Sequence, residues 1–322
     1  MIKECLQSVL SGGQLNFEQA MALAEKSDPL KLYQAADELR KTLHSNHLDL
    51  CSIVNAKSGK CSENCKFCAQ SSHYDIEVET YDVVDPQIAI DQAKENERHG
   101  VERFSLVTAG RTVSFKQLEE FEKIYKRLKE ETDLSLCASM GFLTREKAER
   151  LVEMGVQRYH CNLETCRSFF PEVCTTHSWE EKVATIRIAQ EVGLDVCSGG
   201  IIGMGETLSQ RLELAFELRE LGILSIPINI LNPIPNTPFA HLKPIGISDV
   251  LGCIAIFRFI NPQAIIRLAG GRNLLGNVQE SCFTSGANGS IVGDYLTTVG
   301  NSLKEDIQMF KSLGFDVNEE SR

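Results

Sequence analysis

"RFSLVTAGRTVSFKQLEEFEKIYKRLKEETDLSLCASMG", residues 103–141, sets two strand-like runs on either side of one helix. Ser114 and Gln117 form a capping box that starts the helix. Leu118, Phe121, Tyr125 and Leu128 then fall on one helical face. The flanking runs, "RFSLVTAG" and "LSLCASMG", read as strands. Strand, helix and strand in that order predict parallel pairing with a right-handed crossover.

The same grammar extends in both directions. Upstream, "LDLCSIVNA" (48–56) is a strand. The helix after it has Asp85 as N-cap, Pro86 at its first position and Gly100 as its stop. Downstream, "TREKAERLVEMG" is a helix ending at Gly155, and "QRYHCNLE" is a strand. Ser178 and Glu181 cap a helix that stops at Gly193, before "DVCSGGIIG". Thr207 and Gln210 cap another that stops at Gly222, before "SIPINIL". A helix over 248–259 precedes "AIIRLAGG", and "GSIVG" closes the series. Eight strands alternating with helices predict an α/β fold, a (β/α)8 TIM-type barrel. A doubly wound open sheet is the alternative. It favours a Gly-rich phosphate turn after the first strand, where this chain carries cysteines. Residues 1–47 read as a helical N-terminal extension, whose Asp28–Pro29 starts a second helix within 14–46. Residues 48–302 read as the barrel. Residues 303–322 read as a C-terminal helix (303–316) and tail, all in one structural domain.

The 322 residues carry a net charge of −11 and no basic cluster, which argues against nucleic acid as a partner. The N-terminus has no apolar segment with a small-residue cleavage site, and apolar runs such as "GILSIPINIL" are too short to cross a bilayer. A cytoplasmic chain is expected. Twelve cysteines in such a chain fit metal or cluster ligation better than a disulfide framework.

Three of them, Cys61, Cys65 and Cys68, follow the first strand with the spacing C-x3-C-x2-C. Three thiolates can hold three irons of a cubane [4Fe-4S] cluster and leave the fourth iron open. A zinc site completed by His73 or a distant cysteine is the other reading of the spacing. The loop position, at the catalytic end of a barrel, favours the cluster.

This motif resembles the radical S-adenosylmethionine superfamily. Within it, "CKFCAQSSHY", "HCNLET", "VCSGGIIGMGET", "PIN", "IIRLAGGR" and "CFTSGANGSIVGDYLTT" resemble the biotin synthase family along nearly the whole chain. The resemblance implies that dethiobiotin is converted to biotin by sulfur insertion. S-adenosylmethionine on the open iron would yield a 5′-deoxyadenosyl radical that abstracts hydrogen. An auxiliary iron–sulfur cluster would give up the sulfur. It implies Phe67 beside the adenine, although an inward-packing loop hydrophobe is an equal reading. It implies Asn162 and Glu164 against nucleoside and substrate, and Lys182 facing the methionyl carboxylate. Gly199 and Gly200 would let backbone approach a ligand closely. Asn229 would hold the ureido ring, and Thr297 and Thr298 the carboxylate tail. An electron donor such as flavodoxin or ferredoxin and a homodimer are implied with them.

Cys137, Cys197 and Arg267 lie on strands three, five and seven, and alternate strands of a barrel feed one interior layer. They match the family's auxiliary-cluster ligands. A buried arginine needs an anionic partner, and the cluster is expected to supply it. Where the family carries its usual cysteine on strand two, this chain has Ser105, a poor ligand for soft metal. Cys51, on neighbouring strand one, is expected to take its place. The auxiliary cluster is then a [2Fe-2S] or a larger [4Fe-5S] form. Cys161 is the competitor, but alternation with Asn162 turns it away. Cys166 and Cys174 read as loop thiols. Cys253 and Cys282, and likewise His73, His160 and His177, have no assigned role. A radical mutase or cluster-maturation enzyme without sulfur insertion is the alternative activity, and an iron–sulfur electron carrier the non-enzymatic one.

Overall fold

The computed structural model describes residues 1–293, 296 and 302–317. Its strands are β1 (Asp49–Lys57), β2 (Arg103–Thr108), β3 (Ser135–Ser139), β4 (Arg158–His160), β5 (Asp195–Cys197), β6 (Gly200–Ile202), β7 (Ser225–Ile230), β8 (Ile265–Leu268) and β9 (Gly289–Ile291). Parallel pairing gives the order β5-β4-β3-β2-β1-β9-β8-β7-β6, and β5 also pairs with β7, which closes the ring. β5 and β6 are two parts of one barrel strand, so the closed barrel is eight-stranded, as the alternation predicts.

The break in that fifth strand was not expected, and its cause is steric. A Cβ on Gly199 would lie 1.9 Å from Pro227 O, and one on Gly200 2.6 Å from Glu164 O. Only glycine tolerates such close backbone passage. The strand keeps β7 as a neighbour through the break, and on its other side it meets the chain beyond β4 at Glu164.

Three helices precede the barrel: α1 (Ile2–Leu10), α2 (Phe17–Lys26) and α3 (Pro29–His44). Around it run α4 (Pro86–Arg98), α5 (Phe115–Glu131), α6 (Arg145–Glu153), α7 (Phe170–Val173), α8 (Trp179–Glu191), α9 (Leu208–Glu220), α10 (Ile247–Ile260) and α11 (Glu280–Phe283), followed by α12 (Leu303–Ser312). α1 lies ahead of the helical stretch expected at 14–46. The caps form as the sequence predicts. Asp85 accepts from Gln87 N, and Ser114, Ser178 and Thr207 complete boxes with Gln117, Glu181 and Gln210. Each such cap contributes about 1 kcal/mol. α10 is apolar nearly all round, because it packs between the barrel and the N-terminal helices α2 and α3. Its Arg258 is fully buried but satisfied, donating to Gly286 O, Ala264 O and Asn288 Oδ1. At the far end, Arg272 holds Asp306 of α12 with two short bonds, at 2.9 and 2.6 Å. Among the described residues no helix is long and apolar enough to cross a membrane.

Candidate active site

A cavity of about 440 Å³ opens at the C-terminal ends of the strands. Cys61, Cys65 and Cys68 all reach it from the loop after β1. The loop is wound on itself: Cys61 N donates to Gln70 O, Ser72 N to Cys61 O, and Cys68 N to Cys65 O, at 2.8–3.0 Å. Burial pushes the Cys68 thiol up to about 11, and charge on Cys61 adds to it. Phe67, Asn162, Glu164, Lys182 and Asn229 line the same cavity. Lys182 turns inward instead of to solvent: its side chain is 12% exposed and its Nζ is 3.7 Å from Glu164 Oε1. Burial pushes the Glu164 carboxyl up, and Lys182 works against that rise. Burial also works against charge on Lys182, yet Glu164 holds it above its ordinary value. Asn229 is pinned at both ends of its amide, donating to Gly200 O and accepting from Gly270 N.

Deeper in the barrel, alternate residues of each strand face the axis. Asp49 and Cys51 of β1, Ser105 of β2, Cys137 of β3, Arg158 and His160 of β4, Cys197 of β5 and Arg267 of β8 form this interior. Cys51, Cys137, Cys197 and Arg267 are each at most 1% exposed. Burial pushes the Cys51 thiol up to about 11; Arg267 opposes the rise and Asp49 and Cys197 add to it. Cys137 is pushed up by burial and by charge on Cys51 and Cys197. Cys137 therefore senses both of the other sulfurs, and Cys51 senses that of Cys197. Arg267 pairs with Asp49 through Nη2, at 2.6 Å, while its Nη1 donates to Asp49 O and Ser290 O. Burial works against its charge, but Asp49, Cys51 and Cys197 hold it up.

Residues 56–218 match the Radical SAM superfamily, and residues 227–316 match the Biotin and Thiamin Synthesis associated domain. A biotin synthase from Desulfotalea psychrophila is 58% identical over 98% of this chain and 95% of its own length. One from Acetivibrio thermocellus is 49% identical over 95% and 96%. The chain belongs to the biotin synthase family. Its fold is shared with methylornithine synthase, at a TM-score of 0.85 and 17% identity over 98% of this chain and 97% of that one. It is also shared with an FeFe-hydrogenase maturase from Carboxydothermus hydrogenoformans, at 0.81 and 19% over 98% and 78%.

The residues fit the groups that the biotin synthase family uses. At the mouth, three thiols free of disulfides share one cavity. In the interior, three soft sulfurs stand with Arg267 Nε, Ser105 Oγ and His160 Nε2, all buried and without a hydrogen-bond partner among the described residues. Buried polar atoms are normally paired. Donors of this kind suit the sulfide atoms of an iron–sulfur cluster.

Several expectations need correction. Arg267 was expected to find its anion in the cluster; the chain itself supplies Asp49. Gly199 and Gly200 serve the passage of strands, and neither lines the cavity. Thr297 and Thr298 lie outside the described residues. Cys161 lines the cavity, and its sulfur lies 3.9 Å from Lys182 O of α8. Cys166, Cys253 and Cys282 are buried core residues. Cys174 is no free loop thiol: it is buried, and its Sγ is 3.7 Å from that of Cys65. His177 pairs with Glu63, Nδ1 to Oε2 at 2.6 Å, and Arg111 Nη1 reaches the same carboxylate oxygen at 3.3 Å. His73 Nε2 bonds Ser62 O at the loop surface. His160 faces the interior, where burial and nearby Arg267 and Arg158 hold its imidazole down at about 3.

Proposed function

We propose that this chain converts dethiobiotin to biotin with two separate sets of metal ligands. Cys61, Cys65 and Cys68 hold a [4Fe-4S] cluster at the mouth. Cys51, Cys137, Cys197 and Arg267 hold the auxiliary cluster, of [4Fe-5S] or [2Fe-2S] type, inside the barrel. One observation carries the reading: sulfur ligands gather at two levels of one barrel, with a cavity lined by polar groups above the inner level.

When bound, the mouth cluster and S-adenosylmethionine supply the radical that takes hydrogen from dethiobiotin, and the auxiliary cluster supplies the sulfur. The protein's own work is binding, orientation and exclusion of water. Lys182 offers charge to the methionyl carboxylate, as a point and not a fork. Glu164 and Asn162 accept from ribose hydroxyls, and Phe67 packs on the adenine. Asn229, with two of its hydrogen bonds fixed by Gly200 and Gly270, presents its remaining N–H and lone pair in a set direction. Asp49 fixes Arg267 and offsets its charge. A flavodoxin or ferredoxin as electron donor, a homodimer and a cytoplasmic location belong to the same proposal. Thr297 and Thr298 are proposed for the carboxylate tail.

Incubation of the anaerobically loaded chain with dethiobiotin, S-adenosylmethionine and a reductant should yield biotin and 5′-deoxyadenosine. Formation of 5′-deoxyadenosine without biotin or its thiol intermediate would defeat the assignment of sulfur insertion. Cys51→Ala should lower iron and sulfide content while leaving the mouth cluster intact. Unchanged content would remove Cys51 from the ligand set.

A further inference from the structure

The mouth loop and the turn between α7 and α8 are laced together around two sulfurs. Lys66 N donates to Val173 O at 3.0 Å, Asn64 N to Thr176 Oγ1 at 3.1 Å, and Asn64 Nδ2 to Thr175 Oγ1 at 2.7 Å. Within this lacing Cys174 Sγ lies 3.7 Å from Cys65 Sγ. Its other neighbours are Asn64 Oδ1 at 3.3 Å, Thr176 Oγ1 at 3.4 Å and His177 Nδ1 at 3.4 Å. The imidazole is fixed in turn by Glu63 and by the edges of Phe142 and Phe170, at ring separations of 5.2 and 5.6 Å. Nothing in the proposed reaction uses Cys174, yet it is held against a cluster ligand by a built frame whose inner members, Glu63 and His177, are buried.

We propose that Cys65 and Cys174 form a reversible disulfide when the chain has no cluster, with hydrogen peroxide as the oxidant. The inference rests on the reading of Cys65 as a cluster ligand. Cys65 lines the open cavity, whereas Cys174 is 3% exposed, so peroxide meets Cys65 first. The Cys65 sulfur attacks a peroxide oxygen, the O–O bond breaks, and the departing hydroxide takes the Cys65 proton and leaves as water. That gives a sulfenic acid on Cys65. Cys174 sulfur then attacks Cys65 sulfur, and the S–OH bond breaks. Hydroxide leaves with the proton of Cys174 as a second water. Two thiols and one peroxide become one disulfide and two waters, with two electrons passing from sulfur to oxygen. The sulfurs must close from 3.7 Å to about 2.05 Å, a change that side-chain rotation on a loop and a helix end can supply. The disulfide stops Cys65 from climbing to the irreversible sulfinic and sulfonic acids. A chain stripped of its cluster by oxidation is thereby kept ready for reloading.

The test uses the full chain freed of iron. It is treated with peroxide, alkylated, digested and mapped by fragment mass spectrometry. A Cys65–Cys174 linked peptide is expected as the main product, and dithiothreitol should restore cluster loading. Main linkage of Cys65 to Cys61 or Cys68 would overturn the proposal, and this mapping needs no variant. Cys174→Ser, loaded without prior oxidation, should take up as much iron as the native chain. After peroxide and dithiothreitol it should recover at least about twofold less, with sulfinic acid on Cys65. Equal recovery would also overturn the proposal. If the untreated native chain loads no cluster through Cys65 while the disulfide still maps, the ligand reading fails and the redox pair stands.

Discussion

Replacing Asp49 with asparagine should harm the folded chain more than replacing its partner Arg267 with methionine. Asp49 stands against three guanidiniums: Arg267 at 2.6 Å, Arg103 at 3.4 Å and Arg158 at 3.8 Å. Burial alone would push its carboxyl up, but these three cations, Arg267 foremost, hold it far below the carboxylate range. Charges about 4 Å apart interact by about 4 kcal/mol at an effective dielectric of 20. Removing one partner of a buried pair costs about 3–5 kcal/mol, because the other is left uncompensated. Asp49→Asn leaves three arginines facing one another and belongs at the upper end, about 5 kcal/mol. Arg267→Met leaves Asp49 with Arg103 and Arg158 and fills the volume with an apolar chain, so about 2 kcal/mol is expected. Urea unfolding of both variants and the double variant, followed by circular dichroism on iron-free protein at neutral pH, gives the comparison. The double variant should cost less than the sum of the singles. If Arg267→Met proves as costly as Asp49→Asn, Asp49 is not the hub of this interior.

Three other outcomes follow from particular contacts. Burial and the Arg258 guanidinium hold the His44 imidazole down at about 4, against 6.5 when free. The unfolded chain therefore binds that proton more readily, and stability, intact above pH 6.5, declines as pH falls toward 4. Discounted for its partial exposure the loss is about 1–2 kcal/mol, and His44→Gln should show a shallower decline in urea midpoint over that range. Gly199→Ala drives a Cβ onto Pro227 O and should cost at least about 3 kcal/mol, read as a lowered midpoint or insoluble expression. Lys182→Met should weaken S-adenosylmethionine binding about tenfold in equilibrium dialysis of the loaded chain, and Lys182→Arg should retain it; an unchanged dissociation constant would place Lys182 outside the binding site.

The barrel was legible because its punctuation is local. Caps at Asp85, Ser114, Ser178 and Thr207 and stops at Gly100, Gly155, Gly193 and Gly222 are written within a few residues of the turns they make. α1 falls within the helical extension read over 1–47 but was not singled out there, although Cys5, Leu6 and Val9 repeat at helical spacing, because Met1 gives no side-chain cap. The break at Gly199 depends on Pro227, a neighbour across the sheet, and no local pattern encodes it. In the interior the period of two was sufficient. It places Asp49 beside Cys51 and turns His160 inward. Both residues could have been found by carrying the rule one position further. Cys174 could not: 109 positions separate it from Cys65, and two loops bring them together.

Charge explains why so polar an interior persists in the middle of a barrel. Arg103, Arg158 and Arg267 surround the carboxylate of Asp49, with Glu102 close by, and Asp195, the further partner of Arg158, is 68% exposed. Burial pushes the Cys51 and Cys137 thiols up, so in the iron-free chain they balance the guanidiniums less than thiolates would. A thiol that ligates soft metal gives up its proton. Loading then puts negative charge where the arginines already stand, and the cost of burying those cations falls as the cluster forms. The arrangement couples cluster binding to stability. It also supports the proposed place of Arg267 among the ligands, since its cation would balance an anionic cluster that a fourth thiolate would make more negative.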